Sequence, residues 1–179
     1  DNVEEVIKSI NILISKEIKG WSPSRITVST CGIPDGIRKI GSVLPRCNLA
    51  ISLNSAINNK RSMLMPINRK YNLQLLSKAI EDYYKMTKQI ITFEYVMINN
   101  VNDNDEDLDA LIKFASKFFY KINLIEYNPH HYSNYLSSSE DRIKKFVDSL
   151  KANNINVTVR RSKGKDIGGA CGQLCINIK

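Results

Sequence analysis

The sequence predicts an α/β fold in which parallel strands alternate with helices. Apolar residues at helical spacing alternate with short β-branched runs along the chain, in the order α-β-α-β-α-β-α-β-α-β. Apolar residues occupy most positions of the run at residues 90–96, as expected for a strand buried on both faces. This regular alternation favours a parallel sheet with helices outside it, either a doubly wound sheet or part of a (β/α) barrel.

Capping and breaking residues mark where the predicted helices begin and end. Asn2 with Glu5, and Ser137 with Glu140, are typical of capping boxes, and Asn72 is a good helix cap. The predicted elements are a helix from residue 2 to Gly20, a strand at 25–30, a helix at 36–44, a strand at 48–53, a helix after Asn72, a strand at 90–98, a helix opened by Asp103 or Asn104, a strand at 121–127, a loop at 128–136, a helix after Ser137 and a strand at 157–161.

Residues 54–70 are interpreted as a long polar connection, because their length exceeds that of an ordinary loop. Four cations make this segment basic, namely Lys60, Arg61, Arg69 and Lys70. We therefore take it as an argument for a nucleic-acid partner and against an enzyme that acts only on small molecules.

Size and charge indicate one domain with a basic surface. The chain has 179 residues, a formal net charge of +8 and a pI of about 9.3. Nucleic acid is the commonest partner for such a balance, although scattered lysines also serve solubility alone. The chain opens on a helix rather than on Met, which favours a fragment of a longer protein. It has no membrane-length apolar run or signal peptide, so we expect a reducing, cytoplasmic compartment without a membrane.

The cysteines favour nucleophilic chemistry over a metal site. Cys171 and Cys175 form a CxxxC pair, but Ile178 occupies the position that would complete a CxxxCxxC motif, so no metal site is expected. Cys171 has small neighbours and follows a basic, glycine-rich run, which indicates an exposed thiol near cations. A flexible tail with a stray cysteine is the alternative. Cys31 and Cys47 are interpreted as packing residues.

Small polar residues recur where predicted strands end. Ser29 closes the first strand, Ser52, Leu53 and Asn54 close the second, and Asn128 follows the fourth. Parallel α/β folds bind ligands at the carboxyl ends of their strands, so a polar small molecule is expected there; capping of the next helix is the alternative. Glu94 and Glu126 are interpreted as structural partners of lysines, with a role in the site as the alternative. His130 and His131 are interpreted as loop histidines near RNA phosphates rather than as metal ligands.

Seven stretches of the chain together carry a family resemblance. They are residues 25–30, 49–53, 65–71, 91–96, 101–103, 123–125 with Asn128 and Pro129, and the run from 157 to 174. In these stretches the chain resembles the radical S-adenosylmethionine (SAM) enzymes that methylate carbon 2 of an adenine in 23S ribosomal RNA and, in some bacteria, in transfer RNA. A sister group methylates carbon 8; residues 160–164 are more similar to those of the carbon 2 group.

The resemblance implies a partial (β/α) barrel of the radical SAM type, with residues 1–179 as the C-terminal portion of the catalytic domain. It implies that Cys171 is the methylated cysteine and that SAM contacts Ser29, Asn128 and the turn of Ser52, Leu53 and Asn54. It also implies a 4Fe–4S cluster with its reductant, whose cysteine ligands, with the accessory RNA-binding part, lie outside this chain. The fragment alone is therefore expected to be inactive.

The same resemblance implies a radical mechanism for the methylation of carbon 2. This carbon is not nucleophilic, so a simple polar methyl transfer from SAM cannot reach it. One SAM methylates the Cys171 sulfur, and a second SAM supplies a radical that removes hydrogen from that methyl group. The methylene radical adds to the base, and a second cysteine releases the product by forming a disulfide with Cys171. The cofactor carries the radical chemistry and the protein positions the thiol.

This chain departs from the family pattern in two loops. Asn54 stands where the family usually has His, and residues 128–132 replace a more apolar loop that contains glycine. The alternative function is a non-catalytic RNA-binding remnant of the barrel.

Overall fold

Five parallel strands form one sheet in the described part of the chain, in the order in which they occur in the sequence. The computed structural model describes residues 2–118, 120–130 and 133–161. A doubly wound sheet reverses its strand order at a switch point, whereas sequential order is typical of the wall of a (β/α) barrel. The strands are β1 (Thr27–Thr30), β2 (Asn48–Ser52), β3 (Ile91–Met97), β4 (Tyr120–Glu126) and β5 (Asn156–Arg160).

The helices follow the predicted alternation with one exception. Residues 54–70 are not a loop, because they form a two-turn helix followed by a 3₁₀ turn at Pro66–Arg69. Ile57, Arg61 and Leu64 recur at helical spacing, and Arg61 is fully buried. The helices are α1 (Val3–Ile14), α2 (Pro34–Val43), α3 (Asn58–Leu64), α4 (Leu73–Thr87), α5 (Asp105–Ala115) and α6 (Glu140–Ala152).

The predicted caps are correct at two helices and wrong at two others. The Asn72 side chain accepts a hydrogen bond from the backbone N of Leu75, and Asn104 forms a capping box with Asp107. Asn2 makes no side-chain cap at α1, which ends at Ile14 rather than at Gly20. At α6 the cap is Ser139 rather than Ser137, because Ser137 forms an antiparallel bridge with Ile98.

The core lies between the sheet and the helices. Right-handed crossovers between sequential parallel strands bring successive helices to the same side of a sheet. Alternate strand residues point to that side and pack with the apolar helix faces, fully buried on the central strands and partly buried on β1 and β5. Examples are Ile51, Phe93, Tyr95 and Leu124 from the strands, and Ile37, Leu76, Ile80, Tyr83, Leu111 and Phe146 from the helices.

The opposite side of the sheet, here called the open face, is polar. It carries Ser29, Ser52, Glu94, Lys121 and Asn123, which alternate along their strands with the core residues. Ser29 and Lys121 are exposed. In a barrel this side faces the interior, and a ligand would lie at its end formed by the carboxyl ends of the strands.

The two edges of the sheet predict self-association of the 179-residue chain. Among the described residues, β1 and β5 each pair with only one strand, and unpaired strand edges template pairing with other chains. We expect dimers or larger species in size-exclusion chromatography with light scattering. Thr27→Lys, an added charge on exposed β1, should reduce association, whereas Ser42→Lys on exposed α2 surface should not. A monodisperse wild-type monomer would contradict the prediction.

Candidate active site at the carboxyl ends of the strands

The structure brings four of the predicted site residues to one edge of the sheet. Ser29 is exposed near the end of β1, and Ser52 is half-buried at the end of β2. Asn54 follows β2 by two residues, and buried Asn128 follows β4 by two residues. All five strands are parallel, so these ends face the same way. Topology therefore brings these residues to one edge of the sheet, as the strand-end argument predicts; their contact with a ligand stays a prediction.

Leu53, the fifth residue predicted at the strand ends, is buried, and its backbone groups form hydrogen bonds within the protein. Its side chain is fully buried. Its backbone N donates to Glu94 O at 2.9 Å, and its carbonyl accepts from Ser55 N at 2.7 Å and from Arg61 Nε at 3.1 Å. Leu53 therefore anchors the end of β2, and its direct contact with a ligand stays a prediction.

Asn54 holds the turn after β2 against β3. Its backbone is left-handed, with φ of 55°, a conformation that Asn tolerates better than most residues. Its Oδ1 accepts from Val96 N at 3.1 Å, and its Nδ2 lies 3.4 Å from Met65 Sδ. The Asn54 side chain thus shapes the turn.

Asn102 joins this turn to the segment after β3. The side chain is fully buried, accepts from Ile98 N at 2.8 Å and donates to the carbonyl oxygens of Asn54 and Val96, both at 2.7 Å. Its own carbonyl accepts from the Tyr95 hydroxyl at 2.6 Å. Burial, with the charges of nearby aspartates, holds the pKa of the Tyr95 phenol well above its usual value, so the phenol stays a donor.

The open face carries a charged network that the sequence did not reveal as a unit. Glu94, whose side chain is 16% exposed, accepts from Asn123 Nδ2 at 3.0 Å and pairs with Arg160 at 3.5 Å. Thr158 in turn donates to Asn123. A cavity of about 370 Å³ lies over this network, and its lining includes Ser29. The lysine expected as the partner of Glu94 is thus an arginine and an amide, and since Glu94 also lines the cavity, a structural role for it stays a prediction.

The described cysteines are packing residues or lie beside the strand ends. Cys47 is fully buried, and burial raises the pKa of its thiol, so it is a poor nucleophile. Cys31 is half-buried just after β1, and neither thiol is in a disulfide. Cys171 and Cys175 lie outside the described residues.

The donor groups at the strand ends fit SAM but not an iron–sulfur cluster. Hydroxyl, amide and carboxylate groups line the open face, and these suit a polar nucleoside ligand. In residues 2–118, 120–130 and 133–161, no three His, Cys, Asp or Glu side chains are grouped as a metal site would require. None of the helices described is long and apolar enough to cross a membrane.

Comparison with known proteins relates nearly the whole chain to one group of enzymes. No protein-family model matches it. It is 42% identical over 173 residues to the probable dual-specificity RNA methyltransferase RlmN of Christiangramia forsetii, covering 97% of this chain and 49% of that protein. It is 40% identical over 174 residues to the dual-specificity RNA methyltransferase RlmN of Campylobacter hominis, again covering 97% and 49%. The chain thus spans about half the length of these relatives.

Solved structures agree in fold. A radical SAM methyltransferase from Sphaerobacter thermophilus superposes with a TM-score of 0.92 at 36% identity, over 96% of this chain and 50% of that one. A domain of the pyruvate-formate lyase-activating enzyme from Bacteroides vulgatus superposes with a TM-score of 0.66 at 15% identity, over 89% and 91% of the two chains, which shows the fold alone. By sequence and by fold, this chain belongs to the radical SAM methyltransferase family whose curated members are named RlmN.

Proposed function

We propose that the chain is the C-terminal part of the catalytic barrel of an RNA methyltransferase that methylates carbon 2 of an adenine. The substrates would be 23S ribosomal RNA and, as a second candidate, transfer RNA. The observation that carries this proposal is the polar set at the carboxyl ends of β1 and β2, in a chain about 40% identical to RlmN proteins. Residues 1–179 would form one domain of the complete protein.

In this proposal SAM lies along the open face at the strand ends. Ser29 and Ser52 would offer hydroxyl groups, Asn54 and Leu53 would shape the turn that borders the ligand, and Asn128 would contact it from β4. When bound, a 4Fe–4S cluster with its reductant would supply the electron that starts radical chemistry. No described residue offers a ligand set for it, so its ligands would come from elsewhere in the protein.

Cys171 would carry the methyl group. Its thiolate would attack the methyl carbon of SAM, so that a sulfur–carbon bond forms as the sulfonium–methyl bond breaks and S-adenosylhomocysteine leaves. This step attaches to the chain the methyl group that is later joined to a carbon that is not nucleophilic, which is the purpose of covalent catalysis here. Arg160 pairs with Glu94 and Arg161 with Glu140, so the cations that would favour the thiolate and attract RNA phosphates are Lys163 and Lys165, which precede Cys171 in the sequence.

The basic surface is smaller than the sequence indicates. Arg61 is fully buried and Lys60 pairs with buried Asp107 at 2.7 Å, so only Arg69 and Lys70 of the four cations in residues 54–70 remain as exposed charges. The argument for RNA therefore depends on these two residues, on the tail and on the relatives.

The test is methylation of RNA by the complete protein that contains this chain. The protein, reconstituted with iron and sulfide without oxygen, is incubated with SAM, a reductant and unmodified ribosomal or transfer RNA. We expect 2-methyladenosine by mass spectrometry of the nucleosides, and one methyl group on the peptide that carries Cys171. A product methylated at carbon 8 would place the protein in the sister group. RNA binding that weakens with salt, without SAM binding or methyl transfer, would instead support the non-catalytic module.

A further inference from the structure

A fully buried arginine lies directly behind the carboxyl ends of β1 and β2. Arg61 extends from α3 with 0% of its surface exposed. Its Nε donates to Leu53 O at 3.1 Å, and its Nη2 donates to Cys31 O at 2.8 Å and Ser52 O at 3.2 Å. One side chain therefore fixes the backbone that follows β1 to the backbone that ends β2.

The surroundings of the guanidinium are built to hold it. Its Nη1 donates to Asn68 Oδ1 at 2.8 Å, and Asn68 Nδ2 donates to Asn58 O at 3.1 Å and to Ser62 Oγ at 2.8 Å. Gly32 has a φ of +101°, and a Cβ at this position would lie 3.1 Å from Arg61 Nη2. A side chain there would crowd the guanidinium, so the glycine leaves it the space that it needs.

The charge of Arg61 has neutral partners only. It donates to three carbonyls and one amide, and in the part of the chain that the structure describes no Asp or Glu pairs with it. Burial lowers the pKa of the guanidinium, but arginine stays protonated in proteins. A buried cation without a counterion is costly, and its field reaches further in a low-dielectric interior than in water. The strand ends therefore favour an anion.

We propose that Arg61 is a positioning residue for SAM, which fixes the two turns that border the ligand and selects its carboxylate by charge. The inference rests on the proposed function. The amino-acid part of SAM carries one carboxylate beside two cations, an ammonium and a sulfonium. A fixed positive charge behind the strand ends attracts the first group and repels the other two, so it orients the ligand as well as binding it.

The test compares SAM with decarboxylated SAM, which keeps the nucleoside, the sulfonium and the amine but lacks the carboxylate. Dissociation constants are measured by equilibrium dialysis on the complete protein. We expect wild type to prefer SAM by about tenfold or more, which is the size of a charge–charge interaction over several ångströms in a partly buried site. Arg61→Gln keeps an amide donor but removes the charge, so the preference should fall by about tenfold from that of wild type. Arg61→Lys keeps the charge, so it should retain the preference while both ligands bind more weakly.

Arg46→Gln is the matched control, because Arg46 is an exposed arginine in the turn before β2. It should bind both ligands as wild type does. Equal affinity of wild type for the two ligands would overturn the inference, and this measurement needs no variant to fold. A folded Arg61→Gln protein that keeps the preference would also overturn it. Failure of wild type to bind SAM at all would overturn the proposed function, and this inference with it.

Discussion

Replacing Cys171 by alanine in the complete protein is expected to abolish methylation of RNA. Without the sulfur, no atom of the chain can receive the methyl group that is later joined to the base. Loss of a catalytic nucleophile lowers turnover by on the order of 10³-fold or more. The measurement is transfer of labelled methyl from SAM to RNA, with mass spectrometry of the tail peptide. SAM affinity should stay near that of wild type, because the predicted SAM contacts lie on the strand ends.

Cys175→Ala is the control for this variant. Cys175 lies in the same tail, and we interpret it as incidental to the chemistry. The Cys175→Ala protein should therefore methylate RNA at the wild-type rate and carry one methyl group on Cys171. Methylation that persists in Cys171→Ala, or an unmodified Cys171 in active wild type, would show that the methyl group takes another route.

Replacing Asn102 by alanine is expected to destabilise the protein by on the order of 3 kcal/mol or more. The change leaves Ile98 N and the carbonyls of Asn54 and Val96 without their side-chain partner in a buried site. Each orphaned buried group costs roughly 1–3 kcal/mol. Urea unfolding followed by circular dichroism, at one protein concentration, gives the difference in unfolding free energy.

The matched control is Asn99→Ala, in the same turn. Asn99 is half-buried, and its side chain makes no hydrogen bond within the described residues. We expect a change within about 0.5 kcal/mol. Equal effects of the two substitutions would show that the network around Asn102 does not hold the strand ends together. A further consequence of Asn102→Ala is weaker SAM binding by the folded fraction, since the Asn54 turn borders the proposed site.

The order of helices and strands was predictable because each element satisfies a local pattern. The amphipathic periods of α4, α5 and α6 and the β-branched runs of β2 and β3 are properties of contiguous residues. The Asn72 cap was predictable for the same reason, since its bond spans three residues. Ser137 was mistaken for a cap because its bridge partner, Ile98, lies far away in the sequence.

Arg61 shows where local patterns were insufficient. Its basic character led to its interpretation as a surface contact for nucleic acid, whereas it is the largest fully buried side chain in the described residues. The available signal was the helical spacing of Ile57, Arg61 and Leu64, which puts Arg61 on the same helix face as two half-buried apolar residues. What turns a cation inward is a set of carbonyls from the ends of two different strands, and these meet only in the folded chain.

The sequence by itself determined the α/β class, the strand-end location of Ser29, Ser52, Asn54 and Asn128, and the family, because each depends on residues read in chain order. Only the tertiary structure decided that Arg61 and Asn102 hold the turns at these ends and that Glu94, Asn123 and Arg160 form one network on the open face. These contacts join residues up to 66 positions apart. Hydrogen bonds and ion pairs depend on the distance between groups in space. The alignment of the strands in the sheet sets that distance, and patterns among neighbouring residues do not encode it.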